Sequence, residues 1–213
     1  MGKIFATGDI HGRLDKLEDL MDVVEADHNE DTLVFLGDYI DRGPDSAGVV
    51  EFILDLRETY RNVVCLRGNH EEMFLDYVLK KKSRDLYFYN GGRYTLRSYG
   101  LDPDTPPSES DFPKRHMDFF KSLPYYWETE DYIFVHAGLR PGRPLERQDK
   151  DDMVWIRGEF IFARCNFGKT VIFGHTPFSV PFIEDCRIGI DTGAAYSGPL
   201  TCLELPAKKF HQV

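Results

Sequence analysis

Five short polar clusters interrupt otherwise apolar stretches of this chain. They are Gly8-Asp9-Ile10-His11-Gly12, Gly37-Asp38-Tyr39-Ile40-Asp41-Arg42-Gly43, Arg67-Gly68-Asn69-His70-Glu71, His136-Ala137-Gly138 and Gly174-His175-Thr176. Between them they offer oxygen ligands from Asp9, Asp38 and Asn69 and imidazole nitrogen from His11, His136 and His175. A mixed oxygen and nitrogen set suits Mn, Fe or Zn, whereas an all-oxygen shell suits Ca or Mg. Six side chains are too many for one catalytic metal that keeps open positions, so the set predicts two ions, with a carboxylate such as Asp38 able to bridge them. A hydroxide shared by two cations is a strong nucleophile near neutral pH, which makes hydrolysis the chemistry to expect.

Residues so far apart in sequence act together only if the fold gathers them, and the pattern around each cluster says how. Lys3 to Thr7 is a β-rich run, followed by Leu14, Leu17, Leu20, Met21 and Val24 at helical spacing. Thr32 to Leu36 leads through a loop to an amphipathic helix carrying Val49, Val50, Phe52, Ile53 and Leu56, with Asp45 and Ser46 as candidate caps. Asn62 to Leu66 then precedes a helix beginning near Glu71. Three strand-loop-helix units predict an α/β sheet with helices on its faces, and loops at the carboxyl ends of such strands converge on one crevice. Runs 131–135, 170–173, 180–183, 187–191 and 200–205 are strand-like and predict a second sheet packed on the first. The expected class is α/β (α+β): one domain over residues 1–213, a two-sheet sandwich flanked by helices, with a helical and loop insertion at about 77–128.

Composition removes several alternatives. The chain has 213 residues, 42% hydrophobic and 29% charged, with 16 Phe and 11 Tyr, enough apolar mass to offset chain entropy without disulfides. Lys plus Arg number 26 against 36 Asp plus Glu, a formal net charge of −10, so nucleic acid is a poor default partner. No stretch approaches the ~20 apolar residues of a membrane helix, and mean hydropathy is −0.40. Residues 3 to 8 read as a core strand, leaving no room before them for a signal peptide. A cytoplasmic protein, monomeric or weakly oligomeric, with no membrane partner is the expectation. Cys65, Cys165, Cys186 and Cys202 show no C-x-x-C spacing and are expected as reduced core thiols.

The clusters, read in order as GDIHG, GDYIDRG, GNHE, HAG and GH, resemble the phosphoprotein phosphatase branch of the calcineurin-like metallophosphoesterases. The resemblance spans residues 8 to 175 and is nearest to small bacterial and phage serine/threonine phosphatases, which Gly91-Gly92, Trp155-Ile156-Arg157-Gly158-Glu159 and Gly174-His175-Thr176-Pro177 also look like. Five motifs in order are specific where one alone is weak. The resemblance implies Asp9 and His11 on the first metal, Asp38 bridging, and Asn69, His136 and His175 on the second. It implies Arg42, Arg67 and Arg157 as phosphate-holding groups beside Asn69, and His70, oriented by Asp41, as the acid that protonates the leaving group. These roles are physically coherent. Metals and guanidinium groups neutralise phosphoryl charge as water attacks in line, and an imidazole held in one tautomer can protonate an alkoxide.

Other readings of these residues are structural. Arg42 and Arg67 could be surface salt-bridge residues, and Arg157 could pair with Glu159. Asn90-Gly91-Gly92 reads as a turn, and Leu79 to Lys82 with Arg84 as a solvated basic helix face. His28, His116 and His211 stand outside any motif. The leading functional reading is a metal-dependent phosphomonoesterase acting on phosphoserine or phosphothreonine proteins through a metal-bridging hydroxide. The alternatives are a dinucleoside polyphosphate (diadenosine tetraphosphate) hydrolase, a phosphotyrosine or small-molecule phosphatase, and a non-catalytic scaffold. Asp41 argues against the symmetrical tetraphosphate hydrolases, where the family resemblance implies another residue at that position.

Overall fold

The computed structural model describes residues 2–164 and 167–213. Its first sheet has the order β10-β9-β1-β2-β3, built from β1 (Ile4–Thr7), β2 (Thr32–Phe35), β3 (Asn62–Cys65), β9 (Thr201–Leu205) and β10 (Lys209–Gln212). The second runs β4-β5-β6-β8-β7, from β4 (Tyr126–Glu128), β5 (Tyr132–Val135), β6 (Thr170–Phe173), β7 (Phe182–Glu184) and β8 (Arg187–Gly189). Both sheets are mixed. β1-β2-β3 and β5-β6-β8 are parallel, and β9, β10, β4 and β7 are antiparallel to their neighbours.

Period-two alternation along each strand explains the layering. Phe5, Leu33 and Phe35 point to one face of the first sheet, against α1 (Leu14–Val23), α2 (Ser46–Thr59) and α3 (Asn69–Lys80). Ala6, Val34 and Leu36 point to the other and meet Phe134, Ile172 and Ile188 of the second sheet. Ile133, Val135, Val171 and Phe173 then face outward onto α7 (Lys150–Trp155) and α8 (Gly158–Ile161). Each sheet is therefore covered on both faces, which is why the central strands are apolar throughout.

The strand at 200–205 differs from its expected place. β9 joins the first sheet beside β1 rather than the second, and β10, unforeseen in the sequence, pairs with it. Sequence spacing says nothing about which sheet a strand joins when both present apolar faces. The segment between α3 and β4 contains α4 (Arg84–Tyr89), α5 (Gly92–Ser98) and α6 (Lys114–Ser122). Asp45 caps α2 by accepting the Gly48 N–H at 2.8 Å, as its position before the apolar run predicts. Among the described cysteines, Cys65 and Cys202 are buried free thiols, and burial pushes both up to about 12. Cys186 is disulfide-bonded, a departure from the expectation of reduced thiols, and Cys165 lies outside the described residues.

Candidate active site

The loops after β1, β2, β3, β5 and β6 carry the five clusters, and the structure brings most of their polar side chains into one buried site. Asp9, His11, Asp38, Asp41, Asn69, His70, His136 and His175 are all buried. Two groups lie close enough to hold a cation each: His11, Asp38 and His70, and Asp38, His136 and His175. Asp38 belongs to both, with Oδ2 at 3.4 Å from His11 Nε2 and Oδ1 at 3.4 Å from His136 Nε2.

Tight backbone geometry makes this possible. His11, Asp38, Asp41, Arg42 and His175 all have φ between 49° and 71°, the left-handed region that non-glycine residues seldom adopt. Such strain persists only where surroundings over-determine it. Glu71 supplies part of that constraint, since its buried carboxylate accepts the N–H groups of Asp38, Tyr39 and Gly68, each at 2.9 Å, tying the β2 loop to the start of α3. Burial raises this carboxyl to about 7 while the three N–H groups pull it back. Two glycines leave space for the carboxylates. A Cβ at Gly68 would lie 2.2 Å from Asp38 Oδ1, and one at Gly174 2.2 Å from Asp9 Oδ1.

The donor chemistry fits metal ions. His11 Nδ1 lies 2.9 Å from the Ile40 carbonyl and His136 Nδ1 lies 3.0 Å from the Leu36 carbonyl, so each ring donates there and keeps a lone pair on Nε2. His136 Nε2 then faces Asn69 Oδ1 at 3.0 Å and Asp38 Oδ1. Three acceptors converge with no proton between them, an arrangement that a cation satisfies. Arginines approach the other rings: Arg42 Nη1 is 2.5 Å from His11 Nε2, and Arg157 Nε donates to His175 Nε2 at 3.0 Å. Guanidinium is a donor only, so these nitrogens act as lone-pair acceptors. Burial, the largest cause in each case, lowers the pKa of His11, His136 and His175, His136 to about 3, and keeps the rings in the neutral form that binds metal.

His70 is held differently. Its Nδ1 meets Asp41 Oδ2 at 2.6 Å, both side chains fully buried, while Nε2 has no hydrogen-bond partner among the described residues and stands 3.8 Å from Asp38 Oδ2. Burial moves the two members in opposite senses, Asp41 up to about 7 and His70 well down. Desolvation thus disfavours charge separation in the pair.

The three arginines do not stand alike. Arg42 and Arg157 touch site histidines. Arg67 instead donates to Glu72 Oε2 at 3.0 Å and to the carbonyls of Phe120 and Lys121, each at 3.0 Å, and it lies over the Tyr125 ring. Glu159 is not among the partners of Arg157. Asp9 accepts the His175 N–H on both oxygens, at 3.1 and 3.0 Å, rather than joining either tight group. Beside it is Asp191, a buried carboxylate in the loop after β8 that sequence reading passed over. Asp191 and Gly193 follow a strand much as Asp9 and Gly12 follow β1, and that likeness is the signal the sequence holds for Asp191.

The calcineurin-like phosphoesterase family model matches residues 2–210. The chain belongs to that family. This phosphoesterase is 32% identical to serine/threonine-protein phosphatase 1 of Salmonella typhimurium over 93% of the chain and 89% of the relative. It is 26% identical to the asymmetrical bis(5'-nucleosyl)-tetraphosphatase PrpE of Oceanobacillus iheyensis over 99% of the chain and 92% of the relative. Among solved structures, a candidate diadenosine tetraphosphatase superposes with a TM-score of 0.77 at 26% identity, covering 100% of the phosphoesterase and 93% of that chain. No helix among the described residues is long and apolar enough to cross a membrane.

Proposed function

We propose that this phosphoesterase removes phosphate from phosphoserine or phosphothreonine in proteins. The observation that carries the proposal is the buried Asp41–His70 pair with the free Nε2 of His70 facing Asp38. A positioned proton donor is of most use where the departing oxygen is a basic alkoxide. The resemblance to the Salmonella serine/threonine-protein phosphatase supports the same reading.

In this reading Asp9 and His11 would hold one metal ion, Asn69, His136 and His175 would hold the other, and Asp38 would serve both. Two transition metal ions bound there would supply Lewis acidity, neutralising phosphoryl charge and lowering the pKa of the attacking water. Arg42 and Arg157 reach over the site from partly exposed positions, so each can turn its guanidinium from an imidazole to phosphate oxygens. Asn69 lies within the same polar cluster and is suited to contact the substrate. Arg67, engaged by Glu72 and two carbonyls, braces α3 against the end of α6. His70 donates from Nε2 while Asp41 holds Nδ1–H, and the negative phosphate favours the imidazolium form that burial otherwise disfavours.

A second reading, hydrolysis of dinucleoside tetraphosphates, is favoured by the PrpE relative and by the candidate diadenosine tetraphosphatase structure. There the departing group is a nucleotide phosphate, which needs protonation far less. Phosphoserine peptides, a phosphotyrosine peptide, diadenosine tetraphosphate and nucleotides, assayed after reconstitution with Mn, Fe or Zn, discriminate the readings. The proposal expects the highest kcat/KM on phosphoserine or phosphothreonine peptides, and a higher value on diadenosine tetraphosphate overturns it.

A further inference from the structure

Asp41 is held by more than His70. Its N–H donates to Thr95 Oγ1 at 2.9 Å and to Ser46 Oγ at 3.0 Å, while Thr95 Oγ1 donates to Asp41 Oδ1 at 2.5 Å. The two hydroxyl oxygens are 3.1 Å apart. The Thr95 hydroxyl gives its single proton to the carboxylate and accepts the backbone N–H and the Ser46 O–H on its two lone pairs, with the buried Tyr87 hydroxyl against the same pair. One hydroxyl therefore grips the backbone and the side chain of the same residue. Asp41, Ser46 and Thr95 are each 0% exposed, so no water can take over either bond. Asp41 also needs such a grip, because its φ of 71° lies in the left-handed region.

Thr95 lies on α5, in a segment that carries none of the metal-site clusters, so the contact links that helix to the reacting end of the molecule. We propose that Thr95 is a positioning residue for His70, fixing the Asp41 carboxylate so that the imidazole keeps Nδ1–H on Oδ2 and Nε2 toward the substrate. The proposal rests on the reading of His70 as proton donor, but its geometric content can be tested separately.

Thr95→Val keeps the shape and removes the hydroxyl, and Thr95→Ser restores it. On metal-loaded enzyme of equal metal content, Thr95→Val is expected to lower kcat on a phosphoserine peptide roughly 10- to 100-fold, the scale of losing the partner that orients a working imidazole. KM should change little, the loss on p-nitrophenyl phosphate should be smaller, and Thr95→Ser should recover most of the rate. In a His70→Asn background Thr95→Val should have no further effect. NMR of the His70 Nδ1–H supplies a readout that does not depend on turnover: Thr95→Val should shift or broaden that resonance, and Thr95→Ser should return it. A Thr95→Val enzyme whose His70 Nδ1–H resonance is unchanged overturns the proposal, as does an undiminished loss in the His70→Asn background. If the resonance moves but His70→Asn loses equally on both substrates, the positioning role stands and the reading of His70 as acid fails.

Discussion

The loops after β1, β2 and β3 and those after β5 and β6 face one another across the site, and they are built on different principles. The first group carries the carboxylates, the Asp41–His70 pair and four of the five left-handed site residues, clamped by Glu71 through three N–H groups. The second contributes His136 and His175, neutral imidazoles whose pKa burial lowers, with Arg157 beside them from the α7–α8 junction. Asp9 and Asp38 come from the first group, alongside the imidazoles of His11 and His70, whereas the loops after β5 and β6 add nitrogen. A cation between them gains most of its Coulomb attraction from the first region and much of its directional coordination from the second. Removing Asp38, the carboxylate common to both groups, should therefore affect both metal positions, whereas removing His136 or His175 should affect one.

The largest expected effect follows from Asp38, the residue shared by both groups. Asp38→Asn should weaken retention of both ions by more than the ~10- to 100-fold that disturbing a ligand's outer partner costs, while His175→Asn should empty chiefly one position. Elemental analysis after dialysis checks this, and equal loss of both ions from both variants would remove the asymmetry. Asp41→Asn should leave metal content near wild type and lower turnover.

Next in size is His70→Asn. A general acid contributes typically ~10²- to 10⁴-fold, so the loss on phosphoserine peptides should fall in that span and be clearly smaller on p-nitrophenyl phosphate. The comparison holds where chemistry limits the rate and metal occupancy is equal. An equal factor on both substrates would move His70 from proton donor to positioning phosphate or nucleophile.

The smallest effects separate the arginines. Arg42→Ala should cost on the order of 10²- to 10³-fold in turnover, the scale for removing one preorganised charge-stabilising donor, with stability largely kept. Arg67→Ala should instead cost about 1–3 kcal/mol of stability through its bonds to Glu72, Phe120 and Lys121. Thermal unfolding alongside inhibition by inorganic phosphate decides the matter. Weakened phosphate inhibition in Arg67→Ala at unchanged stability would return Arg67 to the substrate.

How much was legible beforehand depended on how local the cause was. Adjacent residues were enough for the strand-loop-helix units, the Asp45 cap and a list of candidate ligands, because period-two and 3.6-residue patterns and glycine-bounded acids are local features. The sequence also marked Asp38 as a candidate for two metals by residue type alone. It takes packing between distant segments to return β9 to the first sheet and to turn Arg67 to α6 while Arg42 and Arg157 reach the histidines. Only the fold, likewise, places Asp191 beside Asp9 and Thr95 on Asp41. Each of these is a contact between distant segments, Thr95 and Asp41 being 54 residues apart. Such contacts are set by how helices and sheets pack, and packing leaves no periodic trace around a single threonine or arginine.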